Sequence, residues 1–193
     1  MTPEQMQTFK KLAAERKYGR GPWHAKQVGK LSLDIYEEFV RLGMLKKADE
    51  DKQVLDAASL LHDIGLPKEP HNEVAFDEVL KYLGVSKAEE FSTLLYCILW
   101  HRGGMFVKRD NVDIISPTYT KKMAAILRVA DALDRTLRQL VKSVSLRSDG
   151  QHLMFRLSSE NPITTEISRA KEKADLMKEA YSLTEVSFEH AKR

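Results

Sequence analysis

The sequence has little of several features that define whole classes of protein. It contains one cysteine, Cys97, in 193 residues, which excludes an internal disulfide framework and a CxxC zinc site. Its longest uncharged apolar run, FSTLLYCILW, is too short to span a bilayer, and the N-terminus has no apolar signal core. We therefore expect a protein without membrane segments that is located in the cytoplasm.

An excess of one charge is also missing. The 31 Lys and Arg residues are nearly balanced by 28 Asp and Glu residues, which leaves a net charge of +3. A net charge this small gives no reason to expect a specific nucleic-acid partner. With 42% hydrophobic and 31% charged residues, the composition is typical of a soluble globular protein. The length fits one domain, or one domain with a small appendage.

Helical patterns fill the first two-thirds of the sequence. Over residues 23–42, apolar side chains recur at intervals of three and four residues, which predicts an amphipathic helix that Gly43 ends. A loop is expected over residues 102–117, after the pair Gly103 and Gly104. Similar patterns predict further helices over about 3–17, 50–64, 71–83, 87–101 and 118–139.

The pattern changes after residue 140. The stretch SVSLRSDGQHLMFRLSS has two alternating runs around an Asp-Gly turn, which predicts a β-hairpin. TTEISRAKEKADLMKEAY predicts an amphipathic helix, and LTEVSFE a further strand. We therefore expect a mainly α fold, with a helical domain at 1–140 and a small α+β appendage (hairpin, helix, strand) at 141–193. No Gly/Pro linker separates the two parts, so they should pack together.

Histidines and carboxylates stand near the ends of the predicted helices. The pair His62 and Asp63 lies in LLHDIG behind apolar residues, and Asp131 stands between apolar residues in LRVADALDR. A buried carboxylate is costly without a cation or hydrogen-bond donor beside it. His152 and His190 lie in the appendage, where a surface strand and a tail explain them. The other histidines of the helical part are His24, His71 and His101.

Together, His24, His62, Asp63 and Asp131 suit a divalent metal. Two imidazoles and two carboxylates match Mg²⁺ or a first-row transition ion, and three separate helices supply them, as in metal sites of helical bundles. The lack of thiolates argues against a closed structural zinc site. His71 and His101 are candidates for a second metal, with Asp63 bridging the pair. The expected cofactor is one or two divalent ions (Mn, Fe, Ni, Co, Zn or Mg).

Each candidate ligand also has a structural alternative. His62 and Asp63 fit a buried hydrogen-bonded pair without metal. His24 fits a helix surface, and Asp131 fits a helix cap. His71 follows Pro70, where a histidine can simply open a helix, and His101 ends a helix, where a cation is also favourable.

Basic side chains near these segments are candidates for phosphate recognition. The planar guanidinium of Arg can bind two phosphate oxygens at once, and the ammonium of Lys is a compact positive charge. Arg102 and Arg135 are the preferred contacts. Asp134 stands one turn after Asp131 and either supports the site or pairs with Arg138. The full set of predicted phosphate contacts is Lys68, Arg102, Lys108, Arg109, Arg128 and Arg135.

Three stretches, HAKQV, LLHDIG and RVADALD, occur in this order along the sequence. Together they resemble the HD superfamily of metal-dependent phosphohydrolases. More closely, HAKQVGKLSLDIYEEF, PHNEVAFDEVL, LWHR and KEKADLMKEAYSLTEVSFE resemble the C-terminal HD-like region of the exopolyphosphatase / guanosine pentaphosphate phosphohydrolase family, over about residues 20–189. The resemblance implies an HD-domain helical bundle. It also implies the four ligands above for a first metal, and His71 and His101 for a second metal or a substrate phosphate. The actin-like catalytic domains of that family have no counterpart in the sequence.

The sequence thus predicts a divalent-metal-dependent phosphohydrolase acting on a phosphate ester or anhydride of the nucleotide, guanosine polyphosphate or polyphosphate class. A hydroxide generated at the metal would be the nucleophile, Asp63 would orient it, and Arg102 and Arg135 would offset charge on the phosphoryl oxygens. The expected partner is a phosphorylated small molecule, and a homodimer is compatible with the pattern. The alternative is a non-catalytic regulatory module that binds a nucleotide or polyphosphate in the same pocket.

Overall fold

Helices build most of the molecule, and a small sheet stands at its C-terminal end. The computed structural model describes residues 1–102 and 108–192. The helices are α1 (Pro3–Glu15), α2 (Pro22–Arg41), α3 (Asp49–Leu61), α4 (His71–Leu83), α5 (Ser92–Trp100), α6 (Pro117–Ala132), α7 (Thr164–Lys173) and α8 (Asp175–Tyr181). The strands are β1 (Ser143–Ser148), β2 (His152–Ser159) and β3 (Glu185–Lys192). The predicted mainly α fold with a small C-terminal α+β appendage is confirmed.

Helix α2 packs against α3, α6 and β1 and begins with Pro22, whose fixed φ suits a first helical position. Its inward face follows the predicted spacing, and Val28, Leu31, Ile35 and Phe39 are fully buried. This orientation leaves His24 buried in the first turn of the helix. Within the described ranges, no helix has both the length and the hydropathy needed to cross a bilayer.

Helix α6 lies between the helical part and the appendage. It contacts α2 and α5 of the helical part as well as α7 and α8 of the appendage, and every residue from Met123 to Ala132 is buried. The predicted helix over 118–139 is too long, because Leu137 and Gln139 take positive φ values of 59° and 49°. The carboxylate of Asp134 accepts a hydrogen bond from the backbone N–H of Gln139 at 2.8 Å and so fixes this turn.

Four other predicted helices also differ in their bounds. The helix expected over 50–64 runs from Asp49 to Leu61, so His62 and Asp63 follow it. The first ends at Glu15 rather than at 17, because Lys17 and Tyr18 take positive φ values. The fifth begins at Ser92, after a short 3₁₀ turn that replaces its predicted start. The single helix predicted in the appendage is two helices separated at Ala174. Residues 103–107 of the predicted loop, including both its glycines, lie outside the described residues.

The sheet has the order β1-β2-β3. Strands β1 and β2 form the predicted antiparallel hairpin, and the turn between them uses Gly150 with a φ of 101°. Strand β3 runs parallel to β2 because α7 and α8 carry the chain across between them. Along β2, Leu153, Phe155 and Leu157 alternate with exposed residues and point into the core.

One cluster of buried apolar residues extends through the helices and the sheet. Helices α7 and α8 pack on α6, and β1 packs on α2. The end of α7 is thereby placed beside the end of α6 that carries Asp131. The division of the chain into two domains at residue 140 stays a prediction.

A close approach of two backbone segments fixes the turn between α3 and α4. A Cβ atom added at Gly65 would lie 2.1 Å from the carbonyl oxygen of His71 and 2.9 Å from the backbone nitrogen of Ala75. Both obstacles are backbone atoms, which cannot move aside as a flexible side chain can. Gly65 therefore allows the end of α3 to meet the start of α4.

We expect Gly65→Ala to lower the free energy of unfolding by about 1 to 3 kcal/mol, because the added methyl group overpacks this contact. Gly29→Ala is the matched control. In α2 the nearest side-chain atom to a Cβ at Gly29 is 3.6 Å away, and Ala has the higher helix propensity by up to about 1 kcal/mol. Urea denaturation measures both variants, and equal stabilities for the two would contradict the close approach.

Candidate metal centre

The carboxylate of Asp63 is the point at which the candidate ligands meet. It is buried, and neither of its oxygens accepts a hydrogen bond. Oδ2 lies 3.5 Å from Nε2 of His24 and 3.4 Å from Nε2 of His62. Oδ1 lies 3.3 Å from Nε2 of His71 and 3.8 Å from Nε2 of His101. Each carboxylate oxygen thus faces its own pair of imidazoles.

Asp131 completes the first of these two groups. Its Oδ1 atom lies 3.4 Å from Nε2 of His24 and 3.7 Å from Nε2 of His62, and these two nitrogens make no hydrogen bond. Buried polar atoms without partners are rare and costly in folded proteins. A divalent ion among these nitrogens and carboxylate oxygens would satisfy all of them, so the donor set fits a metal.

The second ligand group, which consists of Asp63, His71 and His101, also fits a metal ion. The Nε2 atoms of His71 and His101 are 3.2 Å apart, and the ligand atoms of Asp63, His71 and His101 all lie within 4.8 Å of one another. Two imidazole lone pairs that face each other at this distance repel unless a proton or a metal lies between them. Asp63 belongs to both candidate groups, so it would contribute one oxygen to each ion if two were bound; the bridging role stays a prediction.

The outer nitrogen of each imidazole is held by an oxygen atom. Since carbonyls and carboxylates only accept, each Nδ1 donates, which leaves the Nε2 lone pair free for a metal. The Nδ1 pairs are His24 with Asp134 (2.9 Å), His62 with the Ser59 carbonyl (2.9 Å), His101 with the Ile98 carbonyl (2.7 Å) and His71 with Glu69 (3.3 Å). Of the two roles predicted for Asp134, the structure shows the one that supports the site.

Helix ends bring these side chains together. His24 lies in the first turn of α2, Asp63 follows α3, His71 begins α4, His101 follows α5 and Asp131 lies in the last turn of α6. Side chains at helix ends reach a shared space without crossing the packed core. Five helix ends converge here, and this is why ligands from distant parts of the sequence meet.

The charges at the site are coupled. Burial alone would lower the pKa of His62, but the neighbouring Asp63 and Asp131 carboxylates outweigh it and raise that pKa to about 10. Burial would raise the pKa of Asp63, yet His62 and His71 hold it well below the ordinary value. Burial, with a contribution from His62, lowers the pKa of His101 to about 3. The two carboxylates therefore stay ionised and require positive charge beside them.

The HD domain family matches residues 24–138, more than half of the chain. The chain belongs to the HD domain family. Members of this family bind divalent metals and are typically metal-dependent hydrolases of the phosphohydrolase superfamily, which agrees with the two ligand groups at Asp63. No curated protein matches the chain at a significant level.

Two cations that were not predicted from the sequence contact ligand residues of the HD site, which consists of the two ligand groups that share Asp63. The guanidinium of Arg20 is 3.4 Å from both Asp63 and Asp131. The ammonium of Lys173 is buried and donates to the carbonyl of His101 at 2.9 Å, and burial lowers its pKa to about 8. A signal for Arg20 existed in the glycines on either side of it. Lys173 follows only from the tertiary packing of α7.

Gly19 explains how Arg20 reaches the site. Its φ is +64°, and a Cβ atom there would lie 2.1 Å from the carbonyl oxygen of Asp63. Lys17 and Tyr18 before it also have positive φ values. The loop between α1 and α2 is therefore pressed against the backbone of Asp63, and this contact directs Arg20 towards both carboxylates.

A polar recess of about 250 Å³ opens above the HD site. Arg102 and Arg135, the preferred phosphate contacts of the sequence analysis, both line it, and Arg102 also pairs with Glu69. The lining residues are Arg20, Glu69, His71, His101, Arg102, Asp131, Ala132, Arg135, Arg169 and Lys173. Cations thus surround a recess whose floor carries the candidate metal ligands.

The structure does not bring the other predicted phosphate contacts into this recess. Arg109 donates to Glu73 at 2.7 Å, and the guanidinium of Arg128 is buried and pairs with Asp175 of α8 at 2.9 Å. Both side chains thus make ion pairs within the fold, and their predicted phosphate contacts stay predictions. Lys68 and Lys108 are exposed and do not line the recess.

We expect Asp63→Asn to abolish metal binding at both groups, because one carboxylate serves both. His101→Gln should remove only the second ion. Titration with Mn²⁺ followed by metal analysis should give two equivalents for the wild type, none for Asp63→Asn and one for His101→Gln. The control is Asp77→Asn, at an exposed position of α4. Loss of one equivalent in Asp63→Asn, with unchanged circular dichroism, would contradict the bridging role.

We expect Asp134→Asn to weaken the first metal. Its Oδ1 accepts from the Gln139 N–H, so the new amide would turn its NH₂ towards His24. His24 Nδ1 would then have to accept and Nε2 would carry the proton, which blocks the ligand position. Such supporting contacts contribute about 10–100-fold in metal affinity. A Mn²⁺ dissociation constant equal to that of the wild type would show that Asp134 does not set the tautomer.

Proposed function

We propose that this HD protein is a divalent-metal-dependent phosphohydrolase that cleaves a phosphate ester or anhydride of a small molecule. The observation that carries this proposal is the buried Asp63 carboxylate, which lies between two pairs of imidazoles beneath a recess lined by cations. Membership of the HD family supports it.

Divalent ions held at the two groups would supply an acidified water and a clamp on the phosphoryl oxygens. His24, His62 and Asp131 would hold one ion, His71 and His101 the other, and Asp63 both.

The cations of the recess would act on the phosphoryl group itself. Arg20, Arg102 and Lys173 line the same space as the ligands, so their charges would offset negative charge that builds up on the phosphoryl oxygens. Arg forks match the geometry of phosphate oxygens, and the Lys173 ammonium is a compact point charge. These groups are preorganised, which makes them more effective than mobile water.

The sequence likeness to the C-terminal region of the exopolyphosphatase / guanosine pentaphosphate phosphohydrolase family favours a nucleotide, a guanosine polyphosphate or a polyphosphate as the substrate. All three are polyanions, which suits a recess with five lining cations and two lining carboxylates.

One observation favours the alternative of a non-catalytic binding module. The Arg20 guanidinium contacts Asp63 and Asp131, and so partly neutralises the carboxylates on its own. A protein that used Arg20 in this way would bind a nucleotide or polyphosphate without cleaving it. Turnover separates the two functions.

We expect phosphate release by the Mn²⁺-loaded wild type from at least one member of a panel of nucleotides, guanosine polyphosphates and short polyphosphates. Arg102→Gln should lower kcat/KM by roughly 10–100-fold, since a hydrogen bond to a charged group contributes about 1.5–3 kcal/mol. Metal content should not change. Arg147→Gln, at an exposed position of β1, is the control.

A metal-loaded protein that releases no phosphate from any of these compounds, but binds them, would contradict the hydrolase and favour the binding module. Turnover that is unaffected by Arg102→Gln would remove Arg102 from the substrate contacts and leave the hydrolase intact.

A further inference from the structure

The appendage reaches into the recess of the HD site through α7. Lys173, the last residue of this helix, is only 4% exposed, and its ammonium donates to the carbonyl of His101 at 2.9 Å. Among the residues that the structure describes, no carboxylate forms an ion pair with it. A buried ammonium without a negative partner is costly. Its position in the wall of the recess indicates that a bound anion supplies this charge.

A second recess continues from the first along α7. Its volume is about 450 Å³, and Thr164, Thr165, Ser168 and Glu172 line it together with Arg135 and Arg169. The two arginines also line the first recess. They therefore stand at the junction of the two spaces, where a ligand that rests on the metal ligands would extend away from them.

The two arginines differ in how far they are already neutralised. Arg169 donates to Glu172 at 2.5 Å. Arg135 is exposed and forms no ion pair within residues 1–102 and 108–192. Together with the unpaired Lys173, the junction carries more positive than negative charge. A single phosphate group beside His101 and Lys173 would leave this charge unmatched, whereas a second linked phosphate would reach it.

On the basis of the proposed function, we propose that α7 completes the substrate pocket and that Arg135 and Arg169 bind a second phosphoryl group. Lys173 contacts the first phosphoryl group, next to the metal ligands. The appendage is thus a specificity element that selects compounds with at least two linked phosphates over phosphate monoesters.

The test compares two phosphate probes on the Mn²⁺-loaded protein by calorimetry. Imidodiphosphate has two linked phosphoryl groups that resist hydrolysis, and orthophosphate has one. Arg169→Gln should weaken imidodiphosphate binding by about tenfold while changing orthophosphate binding less than about twofold. The matched control is Lys171→Gln, which removes an exposed charge from the same helix outside both recesses and should change neither affinity.

A second variant tests the contact between Lys173 and the first phosphoryl group. Lys173→Met should weaken both probes by a similar factor, because Lys173 meets the phosphoryl group that they share. Circular dichroism and metal content confirm that each variant is folded and loaded. Equal effects of Arg169→Gln on the two probes, or no effect on either, would overturn the second phosphate site. A wild-type protein that binds neither probe would overturn it as well.

These measurements are independent of turnover. A protein that binds imidodiphosphate through Arg169 but releases no phosphate from any substrate supports the second phosphate site and contradicts the hydrolase. A protein that hydrolyses phosphate monoesters, and whose affinities for both probes are unchanged by Arg169→Gln, supports the hydrolase and overturns the second site.

Discussion

The buried, ionised carboxylate of Asp63 is the constraint on which the rest of the structure depends. Neither oxygen has a hydrogen-bond donor, and four imidazole nitrogens lie within 3.8 Å of them. Burial of such a group is unfavourable unless positive charge accompanies it. The fold meets this requirement by aligning imidazoles whose outer nitrogens are tied to oxygens, and a metal ion would complete it.

This constraint also explains features remote from the ligands. Gly19 and Gly65 allow backbone segments to approach Asp63 and His71 more closely than any side chain permits. Helix α6 carries Asp131 in its last turn and also packs against α7 and α8 of the appendage. The same packing brings Lys173 to His101, so the sheet and its two helices contribute to the recess as well as to the core.

Much of this arrangement was predictable because it depends on local signals. Apolar periodicity predicted the helices, and the Asp-Gly pair predicted the hairpin. Polar residues between buried ones predicted Asp63 and Asp131. The end of α6 was missed because Leu137 and Gln139 take positive φ values without the glycine that usually marks them. Arg20, Lys173 and Arg169 were missed because their positions at the recess are set by tertiary packing.

The most direct test of the metal centre is an anomalous difference map from crystals grown with Mn²⁺. We expect two peaks about 3.5–4 Å apart on either side of the Asp63 carboxylate. One should lie beside His24, His62 and Asp131, and the other beside His71 and His101. A map with no peak within ligand distance of Asp63 would contradict the proposal that this carboxylate is the shared ligand of a metal site.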